Sequence, residues 1–221
     1  MRALVSPADQ LLRGVGLFDP DALLERSVWL LPLLILAFSP IYGAFMGSYN
    51  FVRPDRVLQI VYSAAKMPIL LFGTAAVCLP AFFVLNTVLG LRNDLREALH
   101  AILAGQAGLS IALASLSPFT RFIYFSSADY RLAQLFNASM FTLATVAGQI
   151  LMIRYYRVLF RRNRNHRIAF CAWLILYVFV GIQMGWVLRP FIGAPSVAVT
   201  FFRAEPFTNA YIVIFNLIFP E

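Results

Sequence analysis

Carboxylates are missing from the places in this sequence where they would carry most meaning. None of its ten Asp and Glu falls within a long apolar run; all lie between runs, at helix ends or at the C-terminus. A charge inside a membrane is expensive and is kept for function, so the lack of a mid-run carboxylate argues against a proton- or cation-driven carrier. Histidine is equally scarce, with His100 and His166 alone. There is no HExxH, no serine–histidine pairing within a run and no phosphate-cradling glycine loop. The two cysteines, Cys78 and Cys171, sit in apolar runs with neither CxxC spacing nor a neighbouring histidine, and read as inert core thiols. These absences leave no candidate catalytic residue and no metal site. No cofactor is expected beyond bound phospholipid. A haem or pigment held by His100 is the sharper alternative, but one unpaired histidine near a membrane surface reads as a solvated or hydrogen-bonded ring.

What is present is apolar. Of 221 residues, 61% are hydrophobic and 13% charged, with a mean hydropathy of +0.76. A soluble domain averages about 25% charged residues, so this composition is that of an integral membrane protein. The expected architecture is an all-α bundle of about five transmembrane helices, each near the ~20 residues that cross a hydrocarbon core. The spans read as about 28–49, 67–90, 98–116, 132–153 and 168–188, within a transmembrane domain at 28–189. The first run is longer than a signal-peptide core and lacks an A-x-A exit, so no cleavable signal is expected. Small residues recur four apart at Gly43 and Gly47, at Ala104, Gly108 and Ala112, at Ala144 and Gly148, and at Gly181 and Gly185, a spacing that permits close helix approach. Residues 1–27 form an amphipathic segment with Leu4, Ala8, Leu11, Leu12 and Val15 at helical spacing. Within it, Asp19-Pro20 reads as a helix start that runs on into the first span. Residues 190–221 form a tail, broken by Pro190, Pro195 and Pro206. Its apolar stretch at 208–220, about 12 residues, suits an interfacial or re-entrant helix better than a sixth crossing.

Orientation comes from Arg154–Arg167, RYYRVLFRRNRNHR, which lies between two apolar runs and holds Arg154, Arg157, Arg161, Arg162, Arg164 and Arg167. By the positive-inside rule this is a cytoplasmic loop. The N-terminus then also lies inside and the C-terminus outside, as in a multi-pass protein of the bacterial inner membrane. Those six arginines are expected to contact anionic lipid or a cytoplasmic partner. The net charge of +8 is read as anchoring and orientation, and no nucleic-acid partner is expected, because the arginines flank apolar runs and form no separate basic domain.

On the outer side, Lys66 opens the second span and Arg189 closes the fifth. Gln183 lies six residues deeper, and the tail returns Arg203 to the same surface. Lys66, Arg189, Arg203 and Gln183 are therefore the candidate ligand or lipid-headgroup site, a cationic pocket for a phosphate or carboxylate. The competing reading makes Trp186 and Arg189 ordinary interfacial anchors. The amides within spans, Asn86, Gln106, Asn137, Gln149 and Gln183, read first as interhelical hydrogen bonds. Arg121 is unusually polar for its surroundings and points to a partner at the outer loop.

The stretches YGAFMGSY (Tyr42–Tyr49), then Gln59 and SAAKMP (Ser63–Pro68), VCLPAFFVLNTVLG (Val77–Gly90) and VGIQMGWVLRPFIGAP (Val180–Pro195), with FFR and a later NAY, resemble a family of uncharacterised bacterial polytopic membrane proteins, loosely called Yip1-like. The likeness covers roughly three quarters of the chain. It implies a compact bundle of about five spans and carries over no catalytic residue. Short loops and no soluble domain leave helical faces as the functional surface. The expected function is that of a non-enzymatic structural or accessory subunit of a larger membrane complex, a hetero-oligomer with other integral membrane subunits. The alternatives are a small carrier or channel for an anion or lipid, and a membrane-perturbing effector triggered through the arginine-rich loop.

Overall fold

The computed structural model describes residues 2–13, 20–49, 56–194 and 197–203, with side chains from residues 5–13 and 29 onward within those ranges. It is helical, and among the described residues there is no strand. The elements are α1 (Arg2–Arg13), α2 (Pro20–Gly47), α3 (Val57–Val88), a single 3-10 turn (Arg92–Asp94), α4 (Leu95–Ser126), α5 (Tyr130–Arg162) and α6 (Asn165–Val187). Five helices, α2 to α6, are long and apolar enough to cross a membrane. The expected 208–220 helix lies outside the described residues.

Several helices are longer than the apolar runs suggested. α3 begins at Val57, not near Met67; α4 passes Ser117-Pro118 and ends at Ser126; α5 continues past Ile153 to Arg162. At 1.5 Å per residue, the 32 residues of α4 span about 48 Å, well beyond a ~30 Å hydrocarbon core, so its ends project or the helix tilts. Six internal prolines, Pro7, Pro32, Pro40, Pro68, Pro80 and Pro118, are carried without ending a helix. Such breaks are tolerated where neighbouring helices and Ser/Thr side chains satisfy the freed carbonyls, and Ser117 Oγ donates to the Ala114 carbonyl beside Pro118. α2 does start at Pro20, where the fixed φ of proline suits the first turn.

The bundle is layered in the order α6, α3, α2, α4, α5, with the two outer helices touching each other only slightly. α4 is the enclosed member: 61% of its most apolar window is buried, against 28% for α3 and α5 and 22% for α6. Small residues let the backbones approach. A Cβ at Gly43 would collide with the Ser63 carbonyl oxygen on α3, and one at Gly47 would lie 2.8 Å from the Gln59 carbonyl. Gly148 on α5 faces Gly105 on α4 as closely, with 2.8 Å from a Gly148 Cβ to the Gly105 carbonyl. The Gly181 and Gly185 pair behaves otherwise: Gly181 has only ordinary contact with Thr74, and nothing lies within 4 Å at Gly185. Close approach was thus correctly expected on α2 and α5 but not on α6.

One end of the bundle, the lower, carries the α3–α4 and α5–α6 connections and α1, whose Ala8 and Leu11 are buried against the core. The opposite, upper end carries the α2–α3 and α4–α5 connections and the segment after α6.

Candidate functional site

At the upper end α6 stops short of its neighbours. Pro190 has no N–H and disfavours helix at the residue before it, so α6 ends at Val187 with Leu188 as its cap. The chain then climbs α3 as a non-helical strap, residues 188–194. Backbone without helical partners needs other donors if it is to be buried. α3 supplies them from one face, at residues three, four and three apart. Lys66 Nζ donates to the Pro190 carbonyl (2.8 Å), and Ser63 Oγ to Phe191 (2.6 Å). Gln59 Nε2 reaches both carbonyls (3.3 and 3.1 Å), and Arg56 Nη2 donates to Ala194 (2.9 Å). Tyr130, at the start of α5, donates to Ile192 (3.1 Å) from the other side. All four α3 side chains are buried, Lys66 and Ser63 completely. Gly193 makes room at the crossing, where a Cβ would sit 2.9 Å from Arg56 Nη1.

Lys66 is therefore not at the mouth of its span, as the sequence reading placed it, but in the tenth residue of α3. The strap begins at that depth, so Lys66 and the Arg189–Pro190 pair are level after all. Its ammonium lies 4.8 Å from the Phe201 ring centroid and 5.9 Å from that of Phe191. Among the described residues no carboxylate pairs with it. The Arg189 guanidinium stacks on Trp186 at 3.4 Å, the interfacial-anchor geometry, while Arg203 is exposed and Gln183 half-buried on α6. Lys66 is fully buried, so its ammonium opens to no pocket on the surface. The partners of Lys66 that the sequence reading missed are Arg56, Gln59 and Ser63. Two signals pointed to them: polar residues at helical spacing in an otherwise apolar run, and the fact that Lys66 is the only lysine among eighteen basic residues.

Beside the strap lies a second polar network. Tyr42 donates to Asn137 Oδ1 (2.9 Å), Asn137 Nδ2 to the Tyr124 hydroxyl (2.7 Å), and Tyr124 to the Met46 carbonyl (3.1 Å). This joins α2, α4 and α5, as expected for an amide between helices. Tyr177 likewise donates to Gln106 (3.0 Å) across α6 and α4. Asn86 instead bonds its own helix, at the Phe82 carbonyl. Arg121 proves to be committed internally: it lies on α4, donates to Ser48 and stacks on Phe125 at 4.3 Å.

The lower end is built from charge. Asp94 accepts from Arg162, and His166 Nε2 donates to its other oxygen at 3.0 Å; Arg162 also reaches Glu97 at 3.6 Å. Asn165 ties the α5–α6 link to the Leu89 carbonyl (3.2 Å). The turn there depends on Gly90, whose φ of +72° is the left-handed conformation that closes α3. The arginine-rich stretch is not a loop, because α5 runs to Arg162 and α6 resumes at Asn165. Its six arginines are nevertheless all exposed, as a basic rim around this end. His100 is half-buried, with its ring 5.8 Å from that of Tyr155. No group of three His, Cys, Asp or Glu that could hold a metal forms among the described residues.

No family model, curated protein or solved structure matches this chain.

Proposed function

We propose that this chain is a non-enzymatic structural or accessory subunit of a larger complex in the bacterial inner membrane, packing its outer helices against partner helices. The observation that carries the reading is the open layer order. α5 and α6 end the layer at either side and keep most of their apolar surface outward, with Leu135, Leu143 and Ile150 on α5 and Ile175, Val178 and Phe179 on α6 exposed. Polar side chains inside the bundle support the same reading, since those of the Tyr42–Asn137–Tyr124 network and of the α3 face bond the protein to itself. On this reading the exposed arginine rim lies at the cytoplasmic surface against anionic headgroups, with the N-terminus inside and the strap at the outer surface; the exposure of all six arginines supports it.

The test is native purification in a gentle detergent through a C-terminal tag, followed by mass spectrometry. Stoichiometric integral membrane partners are the expected result. A homo-oligomer that carries only lipid would sink the proposal.

A further inference from the structure

Lys66 costs more than its place in the packing repays. A methionine would fill the same volume without removing an ammonium from water, and membrane segments that keep a buried charge generally use it. Here the ammonium has three N–H groups and, among the described residues, one acceptor, the Pro190 carbonyl, with two aromatic rings beside it. The acceptor and the Phe191 ring belong not to a helix but to the strap, which is held by bonds from side chains on α3, its N-cap Arg56 and α5 to the strap's own carbonyls. In each of these bonds the rigid helix keeps the donor. If the strap moves away, α3 is left with a row of donors headed by a cation, the arrangement that a single anionic group fills through charge-assisted hydrogen bonds.

We propose that Lys66, with Ser63 Oγ and Gln59 Nε2 above it on the same face, is an occluded anion site. It takes one phosphate group when residues 188–194 lift from α3, and that group replaces the Pro190 and Phe191 carbonyls. The site does not depend on the subunit reading and stands or falls by itself.

That Lys66 is the only lysine makes the test direct, because an amine-reactive acetylating reagent can modify only this side chain and the N-terminal amine, which serves as the internal reference. Two substitutions that leave Lys66, Ser63 and Gln59 themselves unchanged loosen the strap. Gly193→Val forces a Cβ to within 3.1 Å of Gln59 Cγ, and Tyr130→Phe removes the bond to Ile192. Acetylation of Lys66 is expected to be slow in the native protein and about tenfold or more faster in the double variant, as for any group exposed by a local opening. In the loosened protein, phosphatidylglycerol added to the micelle restores protection if the anion is a lipid headgroup, and inorganic phosphate does so if it is free. Lys66→Met in the same background abolishes retention of that anion, read as phosphorus per protein. If neither anion protects Lys66, or Lys66→Met retains as much phosphorus, there is no anion site. If Lys66 reacts as fast in the native protein as in the variant, the occlusion is wrong. Should the double variant fail to fold, native-protein labelling at rising temperature, with and without each anion, makes the same comparison.

Discussion

The two ends of this bundle solve one problem in opposite ways. Each must fasten a connection between helices, and each uses basic side chains to do so. At the lower end, Arg162 and His166 meet a carboxylate, Asp94, while the rest of the arginine rim stays exposed. At the upper end, Lys66 and Arg56 are buried and donate to backbone carbonyls of the strap. The exposed Arg162–Asp94 pair costs little to make and gains little, while the same carboxylate satisfies the buried His166 ring. A buried ammonium bound to a neutral carbonyl is dearer, and its presence needs a use beyond fastening. The lower end is thus the kind of surface that orients a protein, whereas the upper end is the kind that conceals a site.

The contrast can be broken at its foundation, beginning with the largest effect. The α3 face is held in register by the α2–α3 contact, so Gly43→Val, which drives a side chain into the Ser63 carbonyl, should destabilise the protein by about 3 kcal/mol in a detergent unfolding assay. An unchanged midpoint would mean that the helices are free to part. Next, Asp94→Ala deprives His166, which is fully buried, of its acceptor; a loss of about 1–3 kcal/mol is expected in the same assay. Asn137→Leu removes the link between Tyr42 and Tyr124 and should cost about 1 kcal/mol, since interhelical hydrogen bonds in membranes are modest. Smallest of all, Arg161→Gln with Arg164→Gln should leave unfolding within about 0.5 kcal/mol of the parent, as exposed substitutions do. The same pair should lower retention of anionic lipid relative to zwitterionic lipid. Equal retention would remove the lipid role of the rim.

The number of long helices was legible because it rests on apolar runs of membrane-spanning length, and α2, α5 and α6 announced themselves through Pro20, Gly148 and the Arg189-Pro190 break. The other helix ends were not legible. Gln59, Ser63 and Lys66 look like loop residues in a linear reading, and only the carbonyls of residues 190 and 191, more than 120 positions away, make them suitable for a helix. The same holds for Arg154 to Arg162, whose charges suggested a loop although their stems continue α5. The candidate site was half legible. Lys66 and the Arg189-Pro190 turn were rightly placed side by side, but the pocket expected to include Arg203 and Gln183 is a covered lysine with partners on its own helix. Sequence carries the inventory of polar groups, and the long-range pairing that decides which are spent on backbone is set only by the fold.

Everything said about the two ends depends on which side of the membrane each one faces. With Cys78 and Cys171 replaced by alanine, Ser127→Cys in the upper α4–α5 link and Asn163→Cys in the lower α5–α6 link can be probed in intact cells with a membrane-impermeant thiol reagent. The account predicts that position 127 is labelled at once and position 163 only after the membrane is opened. Labelling of position 163 in intact cells, with position 127 protected, would put the arginine rim outside and contradict it.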